Sequence, residues 1–495
     1  MTGVPTAPVQ ATLAQYGMWI TEQVGSTGTA YHLPVAVWLD GPLDRQAMLD
    51  ACSAVIRRHS VLSCAFEERD GVLLLVPTTN APPVTFTAVA DVQSWIEQES
   101  KRPFDLRYGP LARFAVAEVA RDRHVVLSVI HHLVFDGMSK DFLVQDLLAF
   151  YQGKPPAALE ISHEQAADEQ QARIADVLPA AAAYWQRRWQ DADRPVTPGA
   201  GGVVDFDLTA EISDTAERIG VSRFDVLLAL LHVVFGQPTV AVAMSTRRVE
   251  TRAHLGLFAT ELPVIVTLGP DLSFRRFATQ VKAEIRALNE FREVPLARAI
   301  GGMRPSAALA PVSISYRRHH QAPPLPGFDV KVDLMMSTLA IRNIVHLQAD
   351  DGHDGLHARL FHNLGVVDRS TAENAAECFR SALKTVAADP DILLSELPTV
   401  ALALPTEPTT GAAPVTGTAL DPDLVAQIRL MWSEVLRIDE IGLDEDLYDL
   451  GGHSLTITQI TARCRKRFGV EVPFDVFLDD PTVTGVATAI SELRP

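Results

Sequence analysis

The sequence predicts an α/β body of about 400 residues followed by a small all-helical unit of about 75. Three observations carry this. Residues 401–420 (ALALPTEPTTGAAPVTGTAL) are rich in Pro, Thr, Gly and Ala, carry one charge and show no helical or strand period. Such a stretch buries too little apolar area to fold and reads as a flexible linker. Upstream, strand-like and helix-like segments alternate. Downstream, apolar residues recur only at helical spacing.

In chain order, residues 124–130 (HVVLSVI) are β-branched and nearly all apolar, as in a buried strand. Residues 138–151 (MSKDFLVQDLLAFY) put Phe142, Leu143, Leu147, Phe150 and Tyr151 at helical spacing. Ser222 is placed to cap a helix running to Phe235, with Gly236 ending it and a strand at 240–244 after it. Four hundred residues exceed one ordinary core, so two lobes are expected, about 10–178 and 179–400. In the unit 421–495, Val425, Ile428, Trp432 and Val435 share a helix face. A second helix starts near Ser454, with Ile457, Ile460, Cys464 and Phe468 on one side and Gly469 as C-cap. Asp480 and Pro481 read as N-cap and first-turn proline of a last helix.

Composition excludes several classes. Apolar residues make up 47% and the net charge is −18, which disfavours nucleic acid and anionic membranes as partners. The small unit carries fourteen acidic and seven basic residues, net −7. Cys52, Cys64, Cys378 and Cys464 lie far apart without CxxC spacing, so neither a disulfide framework nor a metal site is expected. The start, MTGVPTAPVQ, has no basic region followed by an apolar run, and no segment is long and apolar enough to span a bilayer. A cytoplasmic setting is the expectation.

Two motifs carry chemistry. HHLVFDG (131–137) falls where the strand at 124–130 ends and the helix at 138–151 begins. Adjacent side chains at a strand end point to opposite faces, so one of His131 and His132 can face a cleft while the other packs inside. Asp136 and Gly137 follow, the glycine permitting a turn that other residues resist. A pair of ordinary packed histidines is the plain alternative. LGGHS (450–454) puts two glycines ahead of Ser454 at a helix start, where free N–H groups and the helix dipole favour a phosphate. A turn followed by an N-cap serine is its plain alternative.

With these motifs in view, residues 11–400 resemble the condensation domains of non-ribosomal peptide synthetases, relatives of chloramphenicol acetyltransferase. ATLAQYGMW (11–19), RRHSVLSCAF (57–66), VIHHLVFDGMS (129–139), YWQRRW (184–189), LGLFATELP (255–263), FREVPLARAI (291–300) and ADPDILLSELP (388–398) occur in the family's order. Thr260 and Glu261 depart from the family's FVNTLP. DLYDLGGHSL (446–455) is similar to a peptidyl carrier domain. The resemblance implies two chloramphenicol-acetyltransferase-like lobes in a V, a four-helix carrier, and 4′-phosphopantetheine on Ser454. It implies that His132 lies at the reacting centre as base or positioning group, and that His131 is structural. It implies an ion pair of Asp136 with Arg247 (Arg248 second), and a Gly137 N–H near the developing oxyanion. The activity implied is amide formation between a donor acyl thioester and an amine on the fused carrier. A carrier-bound acyl group meeting a free amine or alcohol stays open as an alternative, as does a CoA-dependent acyltransferase. Retention of HH disfavours heterocyclisation, and a carrier placed after the catalytic region disfavours epimerisation. No adenylation domain lies between the two parts, so a stand-alone adenylation enzyme, a separate donor carrier protein and a phosphopantetheinyl transferase are the expected partners.

Overall fold

A computed structural model describes residues 8–23, 27–189, 196–301, 303–304, 306–318, 323–336, 340–352, 355–403 and 420–494. Most of the 401–420 linker lies outside them.

The first lobe is built on a five-stranded sheet. Strand Arg123–His131 is flanked by His32–Asp40 and Ala112–Ala120. Its side chains from His124 onward are buried, which is why this segment shows no polar alternation. The helices Arg45–Arg58 and Ser139–Tyr151 pack over the sheet around Met48, Val55, Leu143 and Leu147. Asp44 caps the first of these through Ala47 N–H, 3.0 Å away.

The second lobe holds a seven-stranded mixed sheet in the order Ala259–Ile265, Thr239–Ser245, Val312–Arg318, Val345–Gly352, Gly355–Asn363, Gly199–Asp207, Ala340–Ile341. Helix Arg223–Phe235 is buried along most of its length, so it is apolar on every side. Ser222 and Asp225 form a reciprocal capping box at its start, and Gly236 closes it in the left-handed conformation.

The chain does not divide at a single point. Helix His163–Gln186 runs unbroken through 178/179, where the lobe boundary was expected. Strand Asp329–Asp333, from the second half, pairs with His32–Asp40 and completes the first lobe's sheet. Backbone hydrogen bonding at a sheet edge outweighs sequence proximity here.

The C-terminal unit packs helices Pro422–Leu436, Ser454–Phe468 and Val483–Leu493 around Trp432, Ile460 and Phe477. Gly469 ends the middle helix at φ +72°. The last helix begins later than expected. Thr482, not Asp480, is its N-cap, accepting from Gly485 N–H at 2.9 Å. Asp480 stays non-helical, at φ −143° and ψ 75°, as a residue before proline prefers.

Burial pushes the imidazoles of His32, His163 and His232 down to about 4, and those of His254 and His346 to about 3. These groups stay neutral in the fold, whereas in the unfolded chain they charge near pH 6.5. Below that pH the unfolded chain therefore binds protons that the folded one refuses, and stability falls as pH drops from about 6.5 toward 4. Urea unfolding over this window is expected to show a steadily falling midpoint with little change in slope. A constant midpoint would contradict neutral burial of these rings.

Candidate active site and carrier face

The HHLVFDG segment leaves the sheet at the end of its central strand. His131 N–H still bonds Leu111 O, and His132 N–H bonds Tyr31 O at 2.8 Å. The two rings then part. His131 is buried, its Nδ1 accepting from Leu133 N–H at 3.2 Å and its Nε2 lying 3.8 Å from Glu22. His132 donates from Nδ1 to Phe135 O at 2.7 Å. A carbonyl only accepts, so this bond fixes the tautomer and leaves Nε2 as a bare lone pair. Burial and the nearby Arg342 guanidinium push the His132 imidazole down to about 4.

Asp136 faces inward. Its Oδ1 accepts from Arg247 Nη2 (2.8 Å), Ser139 N–H (2.7 Å) and Ser139 Oγ (2.8 Å), and its Oδ2 accepts from Phe258 N–H (2.9 Å). Burial opposes this charge, but the guanidinium and these donors hold the carboxyl below its usual range. Arg247 is anchored in turn by the carbonyls of Thr251 and His254, with its guanidinium over the Phe258 ring at 4.7 Å. Arg248 bonds Glu293 instead. Gly137 departs from the turn-making role expected of it. Its φ is not left-handed and a Cβ there would touch nothing, so the backbone has no need of glycine. The residue is exposed on the wall of a cavity.

Two cavities meet at His132. The first, about 250 Å³, runs past Gly137, Lys140, Phe258 and Arg317. The second, about 210 Å³, runs past Leu13, Gly17, Leu296, Ala297 and Arg304. Five residues line both: His132, Ala243, Ala259, Glu261 and Arg342. Glu261 and Arg342 form a pair at 3.5 Å, and Arg342 lies over the Tyr31 ring at 5.4 Å. Sequence reasoning flagged Glu261 only as a departure from a family segment. Arg342, an isolated arginine in IRNIV, gave no signal at all.

The helical unit sits at the mouth of the second cavity. Arg298 Nη1 donates to His453 Nε2 at 3.1 Å, Arg304 pairs with Asp446, and a Cβ on Gly301 would lie 3.4 Å from Gly451 O. Arg107–Glu471 (2.7 Å) and Arg465–Glu68 (2.6 Å) flank these. Phe474 meets Trp19 edge-on, with ring centres 5.5 Å apart. Exposed ion pairs contribute little each, so the aromatic contact supplies adhesion and the charges set orientation. Ser454 is the first residue of its helix, with His453 as N-cap; its side chain lies outside the described residues. The preceding glycines have local causes. Gly451 has φ +83°, and a Cβ on Gly452 would collide with Leu447.

The body is thus two-lobed and α/β, with a histidine at the junction of two channels and a helical unit at one mouth. Residues 7–403 match the condensation domain family, and residues 426–490 match the phosphopantetheine attachment site family. The chain therefore belongs to the condensation-domain family of non-ribosomal peptide synthetases, an amide-bond-forming class of enzyme, and carries a phosphopantetheine-binding carrier domain after it. It is similar to tyrocidine synthase 3 of Brevibacillus parabrevis (25% identity over 79% of this chain and 6% of that one). Chondramide synthase cmdD of Chondromyces crocatus is 24% identical over 78% of this chain and 11% of that one. The chain thus spans a small fraction of the length of these relatives. In fold it resembles the first condensation domain of the calcium-dependent antibiotic synthetase in complex with a substrate analogue (TM-score 0.68, 20% identity, covering 81% of this chain and 100% of that one). The X-domain from teicoplanin biosynthesis is similar to the same degree (TM-score 0.68, 19% identity, covering 80% and 99%). No helix among the described residues is long and apolar enough to cross a membrane.

Replacing Asp136 by Asn leaves Arg247 buried without its counter-charge. Breaking such a pair costs about 3–5 kcal/mol. His132→Ala removes one buried hydrogen bond, about 1–3 kcal/mol. Denaturant unfolding is expected to rank Asp136→Asn as the more destabilised variant. Equal midpoints would argue that the pair does not hold the loop.

Proposed function

We propose that the chain joins a donor acyl thioester, brought by a separate carrier protein, to an amine held on its own carrier domain through Ser454. The fused carrier is then the acceptor. It is loaded in trans by a stand-alone adenylation enzyme after a phosphopantetheinyl transferase has acted on Ser454. The observation that supports this reading best is the seating of the GGHS edge against Arg298 and Gly301, with Asp446 on Arg304, beside the cavity that ends at His132. The residues around Ser454 fit a pantetheine arm: exposed Gly451 puts no side chain between the helix start and the rim, and Ala297 and Gly17 line the way inward. When bound, that arm supplies a thiol on which the amine-bearing group is held.

The protein's own part in the reaction follows from geometry. His132 presents a bare Nε2 where both reactants arrive. With its basicity lowered, the ring accepts a hydrogen bond from the attacking amine and aligns it, in preference to holding a full proton. The imidazole therefore keeps this form well below pH 6, and an acid limb near pH 6.5 is not expected from it.

The test loads the carrier with an aminoacyl arm, supplies a separate acylated carrier, and reads intact masses. The amide is expected on the chain itself. It should be absent from Ser454→Ala and reduced about 10²–10⁴-fold in His132→Ala. Amide released in soluble form with the arm empty would overturn the acceptor role.

A further inference from the structure

The wall between the two cavities carries a cation for which the reading above has no use. Arg342 lines both channels and so borders the point where both reactants meet. Its Nη1 donates to Ala307 O at 3.0 Å and stands 3.5 Å from Glu261 Oε2. Tyr31 packs against the other side of the guanidinium and places its own ring centre 6.2 Å from that of His132. His132, Tyr31, Arg342 and Glu261 are therefore contiguous. A guanidinium has five N–H groups, more than these neighbours use. A charge held in a partly closed site by fixed partners costs no reorganisation when a substrate atom turns negative.

We propose that Arg342 is the electrophilic group of the condensation site, donating to the thioester carbonyl oxygen as the amine attacks, with Glu261 and Tyr31 as its positioning residues. This rests on the condensation reading and adds a residue to it. As the amine nitrogen bonds to the carbonyl carbon, the C=O π pair moves to oxygen, where Arg342 meets it. The pair then returns, the carbon–sulfur bond breaks, and sulfur leaves with the proton given up by nitrogen. His132 serves the nucleophile and Arg342 the electrophile, from the same wall.

Arg342 also bears on the His132 ring, lowering its proton affinity, while Asp136 raises it. That supplies a readout independent of turnover. The chain carrying an alanyl arm on Ser454 is assayed with a panel of aminoacyl N-acetylcysteamine thioesters as donor probes. In parallel, the His132 ring is titrated by NMR with ¹³C-labelled histidine. Arg342→Gln is expected to lose about 10²–10³-fold in kcat with KM nearly unchanged, and its His132 is expected to titrate at higher pH than in the parent. Arg342→Lys, which keeps the charge, should recover at least part of kcat and keep the low His132 titration; it also serves if the Gln variant does not fold. A kcat within a few-fold of the parent in Arg342→Gln, or a loss wholly in KM, overturns the proposal. So does an unmoved His132 titration in a folded variant. If the parent forms no amide with any probe, the condensation reading itself is at fault, and the titration alone decides whether the guanidinium faces the ring.

Discussion

The structure hangs on the buried Asp136–Arg247 pair. Asp136 belongs to the loop that leaves the first lobe's central strand, and Arg247 follows strand Thr239–Ser245 of the second lobe. Their 2.8 Å contact therefore ties the two lobes at the level of His132. The carboxylate also takes Phe258 N–H, two residues before Thr260, and so holds the start of the strand that supplies Glu261. One charged contact fixes the histidine loop, the second lobe's edge strand and the width of the space between them. It is satisfied on almost every polar atom, which is what makes a buried charge tolerable.

That anchoring explains why His132 can be neutral and still placed. Its ring is held by Phe135 O three residues on, within the same short turn, so no outside partner is needed to fix the tautomer. The charge of Asp136 is already claimed by Arg247 and Ser139, and it lifts the imidazole's proton affinity less than desolvation and Arg342 lower it. Desolvation and Arg342 act the other way and prevail. The HHxxxDG segment is thus two devices in one heptad: a histidine that borders both cavities and an aspartate whose carboxylate is taken up by Arg247, Ser139 and Phe258 N–H.

Much of this was legible because it is local. Ser222 and Asp225 announce a helix start three residues apart, and Gly236 and Gly469 announce helix ends, since caps depend only on neighbours. Strand Arg123–His131 was legible from its β-branched run. What was not legible depends on distant partners. Arg342 and Glu261 are eighty-one residues apart, Glu261 in strand Ala259–Ile265 and Arg342 between strands Ala340–Ile341 and Val345–Gly352, and they meet only in the folded chain. Strand Asp329–Asp333 joins the first lobe through edge pairing that no sequence period records. Gly137 misled because glycine suggests backbone strain, whereas here its missing side chain only keeps the cavity wall low.

The charge pattern gives the carrier its reason for being acidic. The unit carries net −7, and on its seated face Asp446 and Glu471 meet Arg304 and Arg107 of the body. None of these pairs is deeply buried, so none holds the carrier permanently. Contacts of this kind are cheap to break and oriented by sign. Covalent linkage to the body keeps the local concentration of the carrier high, so weak docking is enough to occupy this face. Stronger docking would hold the carrier in place; none would lose the alignment of the helix start with the channel. The contacts among the described residues, which include one aromatic edge, Leu455 against the first lobe's core and several exposed or half-exposed polar pairs, lie between these limits.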